Sequence, residues 1–305
     1  MYKRIISICL LVVTTFCSCS NKAGIINDNM PNTTASNNLV QYPSDSNDSN
    51  KDTDKKDQSN TDIDIKSLDS SRLNRSEKNW FFKPKKDGTP AEEPQDILNL
   101  INKYSAYYLG DTSKKVMYLT FDEGYENGYT SKILDILKAN NVPAAFFVTT
   151  PYVNTNKDLI KRMVAEGHLV CNHTTNHPSM AEVAAKDSSK FENEFLVLEK
   201  AYEDVTGQKM PKYFRPPMGK YSELSLYYTQ KLGYKTIFWS FAYSDWDPKK
   251  QPSEDYGRKI IMERSHNGAI VLLHAVSKTN TEILDGVIKE WKSKGYELQS
   301  LDKLP

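Results

Sequence analysis

Past residue 115 the hydrophobic period of the chain changes again and again. Residues 116–121 (VMYLTF) form an apolar run of strand length, followed by a helical stripe at Ile133, Leu134, Ile136 and Leu137. Residues 144–148 (AAFFV) repeat the pattern, with a stripe at Leu159, Ile160, Met163 and Val164. Further strands are expected at 168–172, 213–215, 235–240 and 269–273, and a last one in "YELQSL" from Tyr296. One intervening helix is marked by Phe195, Leu198, Tyr202 and Val205, and the last by Ile283, Leu284, Val287, Ile288 and Trp291. Strands separated by helices pair in parallel, because a crossover of that length returns the chain in the same direction. The fold class is therefore α/β, a distorted (β/α) barrel of about seven parallel strands carrying an N-terminal extension.

The extension is set apart by composition. Residues 21–75 are dominated by Asn, Ser, Asp, Thr and Lys, with Tyr42 the single aromatic, too little apolar surface to offset the entropy of ordering. Ahead of it, "MYKR" and the apolar run "IISICLLVVTTFC" read as an export signal, the run being short of the roughly 20 residues a membrane-spanning helix needs. "FCSC" resembles a lipobox, with Cys19 as the acylated residue. The expected organisation is a signal peptide over 1–18, a lipid-anchor site and disordered polar tether over 19–76, and one folded domain over 77–305. The protein is then exported and held at the outer face of a bacterial cytoplasmic membrane through Cys19. Of four cysteines only Cys171 falls in that domain, which excludes a disulfide framework or a cysteine metal cluster there. Lys and Arg number 40 against 39 for Asp and Glu, with no dense basic cluster in the folded part, so nucleic acid is not an expected partner.

In parallel barrels the chemistry lies at the carboxyl ends of the strands, so the polar residues just past each apolar run matter. These are Asp122 and Glu123, His173, Arg215, Asp245 and His274. A carboxylate at the mouth of a buried strand costs several kcal/mol unless it is paired, hydrogen-bonded or bound to a metal. "NHTTNH" puts His173 and His177 four apart, a spacing that on a helical turn turns both imidazoles to one face, as metal ligands require. With a carboxylate from Asp122 or Glu123 they would complete a common ligand set for a divalent cation, leaving the other acid as general base. Arg215 can hold a carboxylate ionised and oriented, and His274, charged by Asp245, can protonate a leaving group. Taken singly, "DWDP" could equally be a turn and Arg215 a structural ion pair.

The motifs "TFDEG", "NHTTNH", "RPPMG", "SDW" and "VLLH", in that order, resemble the five signatures of the polysaccharide deacetylase superfamily, the NodB homology domain or carbohydrate esterase family four. The resemblance runs from about residue 115 to the end. It implies a distorted barrel, a divalent metal that is usually zinc, and removal of acetyl groups from N-acetylated sugars. Position by position it implies Asp122 as base, His173 and His177 on the metal, Arg215 orienting the base, His274 as acid and Asp245 tuning that histidine. Trp246 and Leu272 fall on the walls of the acetyl pocket. Pro217 and Met218 fall in the substrate groove, Met218 offering its backbone N–H to the oxyanion.

Two positions depart from the family pattern. Met218 replaces a common aromatic, which matters little if only its N–H is used. Glu123 stands where the family usually has a second aspartate, and its extra methylene moves the carboxylate by more than about an ångström, which a zinc bond of about 2.0–2.2 Å would feel, leaving ligation through a shifted backbone, ligation through water and no ligation as the open alternatives. Support of the site is favoured for Glu123 over direct ligation. "NWFFKPKKDGTP", "YSAYYLGDT" and "TFDEGYENGYT" are also similar to the sporulation-type branch that deacetylates N-acetylmuramic acid on the way to muramic δ-lactam in the spore cortex, in which a non-aspartate residue at the Glu123 position is expected. The expected partner is then a peptidoglycan glycan strand. The rival readings are deacetylation of N-acetylglucosamine or another glycan, and an inactive lipid-anchored glycan-binding protein.

Overall fold

The computed structural model describes residues 69–305. The expected signal peptide, Cys19 and most of the tether lie outside the described residues. The described residues include 69–76, which composition assigned to the tether. Asp69 caps a short 3-10 turn (Ser70–Arg72), Leu73 joins the core, and the Asn74 carbonyl accepts from Leu224 N.

The elements in chain order are β1 (Lys78–Asn79), α1 (Gln95–Lys103), β2 (Ala106–Tyr107), β3 (Val116–Glu123), α2 (Thr130–Ala139), β4 (Ala145–Val148), α3 (Thr150–Thr155), α4 (Lys157–Ala165) and β5 (Leu169–Asn172). After them come α5 (Met180–Lys186), α6 (Ser188–Thr206), β6 (Tyr213–Phe214), β7 (Lys220–Tyr221), α7 (Glu223–Lys231), β8 (Lys235–Ile237), α8 (Glu254–Glu263), β9 (Ala269–His274), α9 (Lys278–Ser293) and β10 (Glu297–Leu298). Helix starts follow local chemistry. The hydroxyls of Ser253 and Ser277 and the carboxylate of Asp187 accept backbone N–H groups at the starts of α8, α9 and α6, while Ser222 and Ser225 form a capping box on α7.

The main sheet has the order β10-β3-β4-β5-β6-β8-β2, with β9 on β3, and every pairing in it is parallel. A parallel bridge from Phe241 to Val271 brings the chain beyond β8 onto β9, giving the distorted barrel. Strand parity then sorts the side chains. Val116 and Tyr118 of β3 pack inside the barrel with Ala145, Phe147, Cys171, Ile237 and Ile270. Met117, Leu119 and Phe121 point outward, where they pack with apolar residues of α2, α4 and α9. Each such large side chain taken from water contributes about 1.5–3 kcal/mol. Cys171 is a free thiol inside the barrel, its pKa raised by burial.

A second, two-stranded sheet pairs β1 with β7 antiparallel. It fastens the segment before the barrel to the turn that follows β6.

Candidate active site

The carboxyl ends of β3, β5, β6 and β9 bring the sequence-identified residues to one rim, around a cavity of about 600 Å³. Asp122, His173, His177, Met218, Trp246, Leu272 and His274 line it, and so do Tyr125 and Trp239, which sequence reasoning did not single out. Trp246, Met218 and Tyr125 stand 61%, 54% and 53% exposed, an apolar mouth unusual for solvent-facing positions. Tyr125 could have been suspected as an aromatic in a strand-end loop. Pro217, expected in the groove, is buried under the turn and absent from the lining.

Asp122 shares the parity of Val116 and Tyr118 and so points into the barrel, opposite His274 in the β3–β9 register. Its Oδ1 accepts from Arg215 Nη1 at 2.7 Å, and its Oδ2 lies 3.6 Å from His173 Nε2. Arg215 is fully buried, its Nε donating to the Ile237 carbonyl at 3.1 Å and its guanidinium lying 4.2 Å above the Phe147 ring. Three fixed contacts leave that guanidinium one orientation. Burial by itself raises the pKa of Asp122, but the charge of Arg215, helped by His173 and His274, holds it below the ordinary carboxylate value. Asp122 is thus an ionised, oriented acceptor.

Glu123 behaves otherwise, and the expectation that both acids sit at the mouth is corrected by parity. One residue further along β3, it takes the outward direction of Phe121 and is 0% exposed. Its Oε1 is 3.4 Å from Thr130 Oγ1 at the start of α2, and its Oε2 has no partner. Burial first, then Glu126 and Asp122, raise its pKa well above the usual range. In this arrangement the side chain points away from the cavity that His173 and His177 line. The sign of its linkage follows: the unfolded chain ionises Glu123 above about pH 4.5 while the folded one keeps the proton, so stability is lost as pH rises from there towards the folded value. Glu123→Gln is expected to raise the Tm at pH 8 by about 2–4 °C for each kcal/mol recovered, with no gain at pH 4. The same variant should leave metal affinity within tenfold of wild type, whereas His173→Ala should lower it far more. An affinity for Glu123→Gln as poor as that of His173→Ala would restore Glu123 as a ligand.

The two imidazoles are brought together by a loop, not by the helical turn their spacing suggested. Thr174 and His177 take left-handed φ of 71° and 56°, values that L residues hold only when their surroundings impose them. Glu194 of α6 supplies that restraint, its carboxylate accepting from Thr175 N at 3.0 Å, Asn176 N at 2.8 Å and Asn176 Nδ2 at 2.8 Å. In the sequence Glu194 looks like any helix-surface acid. The rings end 4.8 Å apart and nearly perpendicular. His173 Nδ1 donates to the Arg215 carbonyl at 2.8 Å, which turns a free Nε2 towards Asp122. Burial pushes the His173 pKa down to about 4 and lowers that of His177, so both rings are neutral donors. That donor chemistry fits a divalent cation held by two imidazoles with other positions open. Among the described residues no third His, Cys, Asp or Glu completes a set.

At the neighbouring end of β9, Asp245 is buried and fully engaged. Its Oδ1 accepts from His274 Nδ1 at 2.7 Å, and its Oδ2 accepts from His274 N at 2.9 Å and Asn280 Nδ2 at 2.6 Å. Tyr243 donates to Asn280 in turn. Burial pulls the His274 pKa down, yet the charge and hydrogen bond of Asp245 more than offset it and leave it raised. Neighbouring strand ends thus carry a proton acceptor and a proton donor.

Comparison with known proteins fits this geometry. The sequence pattern of the polysaccharide deacetylase family matches residues 109–237. The peptidoglycan-N-acetylmuramic acid deacetylase PdaA of Bacillus subtilis is 42% identical over 226 residues, covering 74% of this chain and 85% of that protein. The chain belongs to the polysaccharide deacetylase family. As such it is a hydrolase acting on carbon–nitrogen bonds, in carbohydrate esterase family 4. The solved structure of PdaA superposes on this deacetylase with a TM-score of 0.73 at 41% identity, over 75% of this chain and 97% of that one. A family 4 carbohydrate esterase from Bacillus anthracis gives 0.64 at 41% identity, over 76% and 97%. The peptidoglycan-N-acetylglucosamine deacetylase PgdA of Listeria monocytogenes is 35% identical over 193 residues, 63% of this chain and 39% of that protein.

Proposed function

We propose that this deacetylase removes the acetyl group of N-acetylmuramic acid in peptidoglycan, on the route to muramic δ-lactam in the spore cortex. The substrate assignment is supported by the likeness to PdaA, and the reaction by one observation: Asp122 locked to Arg215 and His274 locked to Asp245 stand side by side at the ends of β3 and β9, both lining one largely apolar cavity. His173 and His177 would hold a divalent cation, zinc being the family's usual choice, and when bound it supplies Lewis acidity towards the acetamide oxygen. Asp122 takes a proton from the attacking water, and the Met218 backbone N–H donates to the oxyanion that develops. His274 protonates the departing nitrogen. Water and the N-acetyl sugar become acetate and a free amino sugar. Trp246, Leu272 and Trp239 wall off the acetyl methyl from bulk water.

Acetate release from isolated peptidoglycan, with and without chelator, tests the reaction, and muropeptide mass spectrometry of a strain lacking the protein tests the substrate. Loss of muramic δ-lactam is expected. An unchanged lactam content with more fully acetylated glucosamine would move the substrate to N-acetylglucosamine, while no acetate release under any metal would favour the glycan-binding alternative.

The proposed location is the outer face of the cytoplasmic membrane, through acylated Cys19 with the polar segment as spacer, supported by the lipobox-like "FCSC". Cys19→Ala should move the protein from the membrane fraction to the soluble one. An unchanged distribution points to another anchor.

A further inference from the structure

Trp80, in the "NWFFKPKKDGTP" segment, lies outside the stretch that the family pattern matches, yet it grips two walls of the catalytic cavity. The β1–β7 pairing delivers it, and its backbone N–H donates to the Gly219 carbonyl at 2.7 Å. Its indole Nε1 donates to the carbonyl of Trp239, a cavity residue, at 2.9 Å. The ring is 7% exposed and stacks on Phe238 at 4.2 Å with 14° between planes. Phe238 follows the strand whose carbonyl anchors Arg215.

What Trp80 holds is an improbable turn. Met218 and Gly219 are both left-handed, with φ of 57° and 66°. Glycine tolerates this, but methionine does so only where the surroundings dictate it. Gly219 is sandwiched: a Cβ there would lie 2.9 Å from Trp239 Cη2 and 3.0 Å from Trp80 Cβ. The turn is thus pressed between two tryptophans, one of which hydrogen-bonds the other.

We propose that Trp80 is a positioning residue for deacetylation: it clamps the Pro217–Gly219 turn and thereby aims the Met218 backbone N–H at the acetamide oxygen. This rests on the reading of Met218 given above. The segment before the barrel is then part of the catalytic apparatus, and trimming it would impair turnover even with every cavity residue intact.

The full chain carrying Trp80→Ala, and Trp80→Phe as a milder variant that keeps a stacking ring but loses the indole donor, tests the clamp by two independent readouts. By hydrogen exchange, amides of residues 218–221 should exchange at least about tenfold faster in Trp80→Ala than in wild type, those of 116–123 unchanged, with Trp80→Phe intermediate. By acetate release from peptidoglycan, kcat should fall about 10- to 100-fold, less than the roughly 10²- to 10³-fold for an oxyanion donor removed outright, with KM within about twofold and metal affinity unchanged. Wild-type exchange at 218–221 overturns the clamp, and so does faster exchange with kcat intact. A raised KM at constant kcat also overturns it, placing Trp80 in binding rather than positioning. If the wild-type protein releases no acetate, the proposed function fails while the exchange readout still decides whether Trp80 holds the turn. If Trp80→Ala does not fold, the same outcomes are read from Trp80→Phe.

Discussion

Asp122→Asn is expected to abolish most acetate release, by about 10²- to 10⁴-fold in kcat, while leaving the fold and the cavity in place. The amide is nearly isosteric with the carboxylate, so Arg215 keeps its two backbone carbonyls and its stacking on Phe147, and loses only the charged partner. That loss has its own cost, because a fully buried guanidinium is left without its anion, and the Tm should fall. The two effects are separable. Arg215→Lys keeps a cation but not the fork, so a base that Arg215 merely charges would survive it, whereas one that Arg215 aims would not. Near-normal turnover by folded Asp122→Asn would remove Asp122 from the base role.

Much of this was legible in the chain because the strands are buried on both faces and read as unbroken apolar runs. The runs at 116–121 and 269–273 are the observed β3 and β9 to within two residues at one end. Helix α9 was legible for the opposite reason, since its stripe of Ile283, Leu284, Val287, Ile288 and Trp291 forms one apolar side buried against the barrel and its flanking helices. Helix α7 offers no stripe because Leu224, Ser225, Leu226, Tyr227 and Thr229 bury it on several sides, and β1 is two residues long.

At the site, rim placement followed from strand ends, but direction did not. Asp122 and Glu123 look equivalent until the pleat of β3 sends one inward and the other outward, a parity that fixing the strand at 116–121 left open. The His173 and His177 spacing suggested a helix, since four residues is a helical interval. The loop that forms instead depends on Glu194, a partner no local pattern reveals. Asn280 and Trp80 were invisible for the same reason: their work consists of hydrogen bonds to distant backbone or side chains.

The second large effect concerns the acid beside Asp122, at the end of β9. His274→Gln should lower kcat by about 10²- to 10⁴-fold, since a glutamine amide can donate a hydrogen bond but cannot give up a proton to the leaving nitrogen. The pH dependence carries more information than the loss. Turnover needs Asp122 ionised and His274 protonated. Asp122 has a pKa that burial raises but the charge of Arg215 holds below the ordinary carboxylate value, so it stays ionised over the whole range from pH 5 to 9. His274 has a raised pKa, so activity is retained above pH 6.5 and falls as pH rises through that raised value. Asp245→Asn removes the charge that raises it while Asn280 and the His274 backbone N–H keep hydrogen-bonding partners. Burial then dominates, and the alkaline limb of kcat/KM should move to lower pH, with turnover at pH 8 falling more than turnover at pH 6. Measuring kcat/KM from pH 5 to 9 for wild type and Asp245→Asn decides the matter. An alkaline limb that stays in place in Asp245→Asn would mean that His274 is not the group titrating there.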